Sequence, residues 1–234
     1  MADILEVNNL SISFGRIKIL SGLSFSVKEG SSLAVIGPNG AGKTLLFKAL
    51  IGAEAHSGEV KWKPGVKIGY IPQKLDLERD LPVTAFELLY SKAKTMGLGS
   101  KEVEEAIELV DLSLADSKQP VGNLSGGQFQ RTLIAFALIG DPDVLLFDEP
   151  TAGVDAPGQN KIYELINRLK KEKNLTVLLI SHDLTLVYEY ADEVLCLNRE
   201  KMCFGEPRKV LEPKALEELY GSPQKYYIHD EHRH

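Results

Sequence analysis

The stretch Gly37-Pro38-Asn39-Gly40-Ala41-Gly42-Lys43-Thr44 decides the fold of this chain. It follows the apolar run from Leu33 to Ile36 and precedes a helical pattern from Leu45 to Leu50, which is the strand–loop–helix context of a phosphate-binding P-loop. Its glycines let successive backbone N–H groups turn toward phosphate oxygens. The positive end of the following helix points at the same place. A glycine-rich turn without a ligand is the alternative, but the full G-x-x-x-x-G-K-T pattern favours a nucleoside triphosphate site.

Two side chains of this loop have predicted roles, and one aromatic residue could complete the site. Lys43 is expected to bridge the β- and γ-phosphates as a point charge, and the Thr44 hydroxyl to ligate Mg²⁺. Phe14 ends a predicted strand, where its ring could stack on a nucleotide base. Taken alone, an aromatic residue at a strand end is more often part of the core.

Composition sets the class of protein and its location. The 234 residues are 44% hydrophobic and 26% charged, which is ordinary for a soluble globular protein with one large domain or a domain with a subdomain. The net charge of −6 argues against a broad nucleic-acid-binding surface. No apolar run reaches the roughly 18–20 residues that span a bilayer, and the first residues do not resemble a signal peptide. Cys196 and Cys203 are too few for a disulfide framework and are expected as reduced thiols of a cytosolic protein.

The hydrophobic pattern predicts an α/β fold, a P-loop core with a mainly parallel sheet. Two strands joined by a Gly15-Arg16 turn, Ile4–Phe14 and Ile17–Val27, form a predicted N-terminal antiparallel β-subdomain. Further strands are predicted at Glu59–Lys61, Val66–Ile71, Val144–Phe147, Thr176–Ile180 and, as a hairpin, Val194–Leu197 with Met202–Phe204. Between about residues 74 and 140 the pattern is helical, with helices at Thr84–Lys94, Lys101–Val110 and Leu124–Leu138. This region is interpreted as an inserted helical subdomain, and later helices are predicted at Gly158–Lys171 and Asp183–Tyr190.

Two adjacent acids follow the apolar strand Val144–Phe147. Ligands of open α/β sheets bind beyond the carboxyl ends of the strands, so Asp148 and Glu149 are expected near the triphosphate. Asp148 would hold Mg²⁺ through a water molecule, and Glu149 would polarise or deprotonate the attacking water. Gln73 stands where another strand ends. The alternative for the acids is a solvated turn.

Two further motifs suit a phosphate ligand. Ser125-Gly126-Gly127-Gln128 opens a helical run, with Ser125 as a natural N-cap, so it is either a plain cap or a second anion-binding helix start. His182 follows the strand Thr176–Ile180 and could donate a hydrogen bond to the γ-phosphate. A lone histidine is more often structural.

In this order the motifs resemble those of the nucleotide-binding subunits of ATP-binding-cassette (ABC) transporters. The loop at 37–44 is similar to their Walker A motif, Gln73 to the Q-loop glutamine, and Leu124–Gln128 to the LSGGQ signature. Val144–Glu149 resembles Walker B, Gly153-Val154-Asp155 the D-loop, and His182 the switch histidine. The resemblance runs from the first strand to about Phe204. It implies an ABC ATPase domain at 1–222 and leaves a polar, histidine-containing tail at 223–234.

The resemblance also implies a mechanism. Two copies would associate head to tail around two ATP molecules, with Ser125, Gly126 and Gly127 contacting the γ-phosphate bound by the partner. Phe14 would stack on adenine, Gln73 would sense Mg²⁺ and water, and Asp155 would couple the two sites. Two departures stand out. Leu45 replaces a common second hydroxyl residue, which puts one α-phosphate contact in doubt, and Phe14 replaces the usual tyrosine.

Segments 153–159 and 196–205 look like those of zinc and manganese importer ATPases. The resemblance therefore implies transition-metal import, through separate membrane permease subunits docked on the helical region, and indirectly with a substrate-binding protein. The chain would sit on the cytoplasmic face of the cell membrane. His229, His232 and His234 would suit a metal ligand set, but a disordered tail with incidental histidines explains them better. Alternatives are another cargo, export, a soluble ABC ATPase acting on nucleic acid or ribosomes, and a P-loop kinase or other non-ABC NTPase, which the LSGGQ segment disfavours.

Overall fold

The structure is a computed structural model that describes residues 2–73, 82–150, 154–198 and 202–221. Its strands are β1 (Asp3–Phe14), β2 (Ile17–Lys28), β3 (Ser32–Ile36), β4 (Ser57–Trp62), β5 (Ile68–Ile71), β6 (Val144–Asp148), β7 (Thr176–Ile180), β8 (Glu193–Leu197) and β9 (Met202–Gly205). Its helices are α1 (Lys43–Leu50), α2 (Ala85–Thr95), α3 (Ser100–Leu109), α4 (Leu114–Ser117), α5 (Gly126–Leu138), α6 (Ala156–Lys173), α7 (Leu184–Tyr190), α8 (Pro207–Val210) and α9 (Pro213–Tyr220). The described residues form two compact units: one contains those before residue 65 and from 178 onward, and the other contains those between 65 and 177.

The first unit contains the predicted antiparallel β-subdomain. Its three strands are ordered β2-β1-β4, and β1 pairs antiparallel with both neighbours. Apolar residues of β1 such as Val7, Leu10 and Ile12 are buried, while Asn8 and Asn9 between them are exposed. That alternation is the mark of a sheet with one covered face, and it confirms the prediction.

The first unit also contains the strand that leads into the P-loop. All five residues of β3 are buried, and β3 pairs parallel with β8. The backbone N–H of Ser181, just past β7, donates to the carbonyl of Val35 at 3.3 Å. The chain therefore leaves β3 and β7 close together, and the P-loop follows one strand while His182 follows the other.

The hairpin of β8 and β9 corrects one prediction. Cys196 and Cys203 lie directly opposite each other in this antiparallel pair, with their Cα atoms 4.9 Å apart. A disulfide joins them, so the prediction of two reduced thiols is wrong. Counting cysteines could not reveal the pairing, because it depends on the strand register that makes the two residues neighbours.

The second unit combines a parallel strand pair with the helical region. β5 pairs parallel with β6, with Ile71 opposite Phe147, which agrees with the predicted mainly parallel sheet. The helices α2 to α5 lie between residues 85 and 138. The boundaries of the insertion, about 74 to 140, stay a prediction, and residues 74–81 lie outside the described part. In the described residues, no helix has both the length and the apolar character needed to cross a membrane.

Candidate nucleotide site

The P-loop is packed tightly against its neighbours at two of its glycines. Gly37 has φ +146°, and a Cβ there would lie 2.1 Å from the carbonyl oxygen of Leu197. Gly42 has φ +93°, and a Cβ there would lie 2.9 Å from side-chain carbons of both Ile19 and Leu20. The loop backbone is thus held against β2 and β8, with positive φ at two glycines, as in loops whose N–H groups cradle phosphate.

Lys43 and the start of α1 supply positive charge to this loop. The Lys43 ammonium donates to the carbonyls of Gly37 at 2.8 Å and Pro38 at 3.0 Å, so its side chain arches over the loop. Gly42 is the N-cap of α1 and provides no side-chain cap, and the first turn of this helix carries no acidic residue. The helix N-terminus therefore has N–H groups suited to phosphate oxygens.

Phe14 stands at the turn between β1 and β2. Its side chain is 51% exposed and lies opposite Ile17, which is 64% exposed. Such exposure excludes the core interpretation of Phe14. The side chains that a Cβ on Gly42 would meet, Ile19 and Leu20, lie two and three residues after Ile17 on β2. An exposed ring at this point on the same strand pair is suited to base stacking.

His182 belongs to the same unit and is presented by a rigid turn. It is exposed, whereas the preceding Ser181 is buried. Asp183 caps α7 by accepting from the backbone N–H groups of Thr185 and Leu186 at 2.9 and 3.1 Å. The turn between β7 and α7 is therefore fixed on both sides of the histidine.

In the second unit, Gln73 and Glu149 contact each other. The Gln73 amide donates to a Glu149 carboxylate oxygen at 2.6 Å. The contact follows from the strand register, since Ile71 opposite Phe147 places residues 73 and 149 side by side. Glu149 has φ +57°, a left-handed conformation uncommon outside glycine, asparagine and aspartate. Asp148 is 1% exposed, whereas Glu149 is only half-buried, so the two carboxylates occupy different environments.

Tyr70 is a neighbour of the acids that sequence reasoning missed. Burial, and secondarily the charge of Asp148, raise the pKa of Tyr70 to about 12. Its buried hydroxyl has no hydrogen-bond partner among the described residues. The signal was available in the strand periodicity: Tyr70 pairs with Leu146, and residues 146 and 148 share a face of the sheet.

The helix start at Ser125 is built as a capping box. The Ser125 hydroxyl accepts from the Gln128 N–H at 3.2 Å, and the Gln128 side chain accepts from the Ser125 N–H at 2.8 Å. Ser125 and Gly126 are exposed, and a Cβ on Gly127 would meet nothing within 4 Å. Gln128 therefore holds the cap, and the two glycines leave the helix start open to a large ligand.

Asp155 caps the other helix of interest in the second unit. It is exposed, and its carboxylate accepts from the Gly158 N–H at 3.3 Å at the start of α6. Val154 is buried beside it, while Gly153, the first residue of the predicted D-loop, lies outside the described residues.

The predicted site residues thus fall into two groups. The first unit carries Phe14, the loop at 37–44 and His182. The second carries Gln73, Asp148, Glu149, Ser125, Gly126, Gly127, Gln128 and Asp155. Within the groups, the structure brings Gln73 to Glu149 and places the ends of β3 and β7 side by side.

The fold and these sites define a P-loop protein of the α/β class. Residues 20–152, more than half of the chain, match the family model described as "ABC transporter". The chain therefore belongs to the ABC transporter family, as an ATP-binding subunit.

Individual relatives agree with this assignment. The chain is 41% identical over 224 residues to a "Probable metal transport system ATP-binding protein" of Thermotoga maritima, covering 93% of this chain and 90% of that protein. It is 39% identical over 241 residues to the zinc import ATP-binding protein ZnuC of Yersinia enterocolitica, covering 100% and 94% of the two chains. A chain of an ABC transporter solved in an inward-facing conformation superposes with a TM-score of 0.88 at 27% identity, covering 98% of this chain and 94% of that one.

The residues present fit the ligand that this family implies. The glycine cradle, the uncapped start of α1 and Lys43 suit the phosphates of ATP. The Thr44 hydroxyl and the Asp148 carboxylate are oxygen donors of the kind that Mg²⁺ prefers.

Proposed function

We propose that this chain hydrolyses ATP to drive import of a transition metal, zinc first and manganese second, through separate membrane subunits. The observation that carries the catalytic part is the 2.6 Å hydrogen bond between Gln73 and Glu149, next to the buried Asp148. A carboxylate held by an amide beside a second acid is the arrangement needed to orient a water molecule. The cargo is inferred from relatives, which are named for zinc import and for metal transport.

In this proposal each residue has one task. The loop at 37–44 cradles the phosphates, Lys43 neutralises their charge, and Phe14 stacks on adenine. Thr44, Asp148 and Gln73 supply oxygen atoms for Mg²⁺, which when bound neutralises the charge of the transferred group. Glu149 accepts a proton from the attacking water, and His182 donates a hydrogen bond to the γ-phosphate.

A second copy of the chain completes the site. The open helix start at Ser125, Gly126 and Gly127 would contact the γ-phosphate bound by the partner copy, and Asp155 would couple the two sites. ATP then acts as a bivalent ligand shared by two positive helix ends. Losing the γ-phosphate removes the shared contact and loosens the dimer, so the difference in affinity between ATP and ADP operates the cycle.

The membrane subunits supply the route for the metal. We infer that the chain binds permease subunits through its helical region at the cytoplasmic face of the membrane, and that a substrate-binding protein takes part indirectly. The assignment to import follows the printed names of the relatives.

The variant Glu149→Gln tests the catalytic proposal. We expect hydrolysis to fall at least about 100-fold, because a proton acceptor is lost while the hydrogen-bond acceptor for Gln73 remains. The variant should accumulate as a dimer in ATP and Mg²⁺, measured by size-exclusion chromatography with light scattering.

Lys43→Ala on the same background is the matched control and should remain monomeric, because the phosphates are no longer bound tightly. A Glu149→Gln chain that hydrolyses ATP at the wild-type rate, or stays monomeric in ATP, would contradict the proposal.

A further inference from the structure

Asp111, just past the end of α3, joins two helices of the second unit. It has φ +52°, the left-handed conformation that ends many helices. Arg168 of α6 donates to both of its carboxylate oxygens, at 3.1 and 2.9 Å, and Arg131 of α5 donates to one of them at 3.3 Å. One carboxylate thus receives a two-pronged arginine contact from one helix and a single contact from another.

The same two arginines also bond to the backbone at the end of α3. Arg168 donates to the Leu109 carbonyl at 2.9 Å, and Arg131 donates to the Val110 carbonyl. The last carbonyls of a helix lack partners within it and carry its negative dipole end, so cations are favoured there. The Asp111 carboxylate and the carbonyls at the end of α3 therefore bind both guanidinium groups. We call this group of contacts the Asp111 cluster.

The Asp111 cluster contacts α5 in its N-terminal half. Arg131 comes five residues after Gly126, the first residue of α5, which is about 7.5 Å along a helix axis. Near its other end α5 is held by Lys92, whose ammonium donates to the Phe136 carbonyl at 2.5 Å and lies 4.6 Å from the centre of the Phe136 ring. The helix is therefore held at two points, and the contact with Asp111 is the one nearer to the signature.

We propose that Asp111 is a positioning residue: its carboxylate, acting through Arg131 and Arg168, orients α5 so that the helix start at Ser125 meets the partner's nucleotide. This inference rests on the proposed head-to-tail dimer. Asp111 contacts no nucleotide in this scheme. A small rotation of a helix displaces its terminal N–H groups, and misplacement by about 1 Å can cost about 100-fold in rate.

The left-handed conformation of Asp111 allows a clean test. Asp111→Gly keeps that conformation and removes the carboxylate, whereas Asp111→Asn keeps both the conformation and one hydrogen-bond acceptor. Glu108→Ala is the matched control. Glu108 lines the same surface cleft as Asp111 and Arg168, and the substitution also removes one carboxylate. Thermal unfolding identifies a temperature at which all variants are folded.

At that temperature, the ATP affinity of each chain is measured at a protein concentration low enough to keep it monomeric. Turnover is then measured over a range of ATP concentrations. We expect Asp111→Gly to bind ATP within about twofold of wild type, while the ATP concentration for half-maximal turnover rises about tenfold and maximal turnover falls. Asp111→Asn should recover part of both losses, and Glu108→Ala should match wild type.

Unchanged turnover and half-saturation in Asp111→Gly would overturn the inference, as would an equal loss of ATP binding by the monomer. Failure of the Glu149→Gln chain with Asp111 intact to dimerise in ATP would instead contradict the proposed function. The two failures are therefore distinguishable.

Discussion

At the scale of single residues, the nucleotide site depends on glycines whose neighbours come from distant parts of the sequence. The Gly37 position is limited by the Leu197 carbonyl, which is brought there by the parallel pairing of β3 with β8. The motif predicts a glycine but not the contact that requires it.

Gly37→Ala should therefore be strongly destabilising. The added Cβ would lie 2.1 Å from a backbone oxygen that belongs to a paired strand and cannot rotate away. Gly65→Ala is the control, because Gly65 also has positive φ, +81°, but has nothing within 4 Å of a Cβ, so it measures the cost of a positive φ without a steric clash. We expect Gly65→Ala to lower the free energy of unfolding by about 1–2 kcal/mol.

Gly37→Ala should lower it by more than about 3 kcal/mol and also weaken ATP binding. Chemical denaturation with nucleotide titration measures both effects. Equal losses for the two variants would show that the contact with Leu197 is not limiting.

Residue roles that follow from a local pattern could be predicted from the sequence, whereas roles that follow from register could not. The P-loop, the acids after β6 and the Ser125 cap are local patterns. The Gln73–Glu149 hydrogen bond and the position of Tyr70 beside Asp148 require the pairing of β5 with β6, which no window of sequence contains. The Cys196–Cys203 disulfide has the same origin in the pairing of β8 with β9.

At the scale of elements, apolar periodicity predicted the strands and helices, and the ends moved for identifiable reasons. The predicted helix Gly158–Lys171 begins at Ala156 in the structure, because Asp155 provides the N-cap and Pro157 suits the first turn. The predicted strand from Val66 begins at Ile68, after the turn at Pro64-Gly65. The Asp111 cluster could not be predicted from the sequence, because it joins the end of α3 to residues of two other helices, α5 and α6.

Two helix starts of equal construction permit a test of the signature helix. Both α2 and α5 begin with a capping box, formed by Thr84 with Glu87 and by Ser125 with Gln128. The hydrogen bonds that Glu87 accepts from the Thr84 backbone and hydroxyl lower the pKa of Glu87, as expected for a working cap. Replacing either capping residue by arginine should cost about 1 kcal/mol of stability.

Only Ser125→Arg should abolish turnover, because its bulk and charge would block the helix start offered to the partner's nucleotide. ATP binding by the monomer should stay intact in both variants, and Thr84→Arg should keep its turnover. Loss of first-site ATP binding in Ser125→Arg, measured by equilibrium titration, would mean that this helix start does not act on the partner copy.

At the scale of the whole molecule, the residues proposed for ATP hydrolysis do not identify the cargo. The residues that would bind ATP are those of the family in general. The predicted link to metals depends on segments at 153–159 and 196–205 and on the names of relatives. The histidines of the tail lie outside the described residues and contribute nothing to this argument.

The cargo is therefore best tested in the source cell. Deleting the gene should impair growth in medium depleted of transition metals by a chelator, and added zinc, or failing that manganese, should restore growth. A chromosomal Glu149→Gln allele should reproduce the deletion, because a permease complex that assembles without hydrolysis cannot complete its cycle. Glu108→Ala should grow as wild type, which controls for altering the surface charge of the chain. Normal growth of the deletion under metal depletion, or rescue only by an unrelated nutrient, would refute metal import while leaving the ATPase assignment intact.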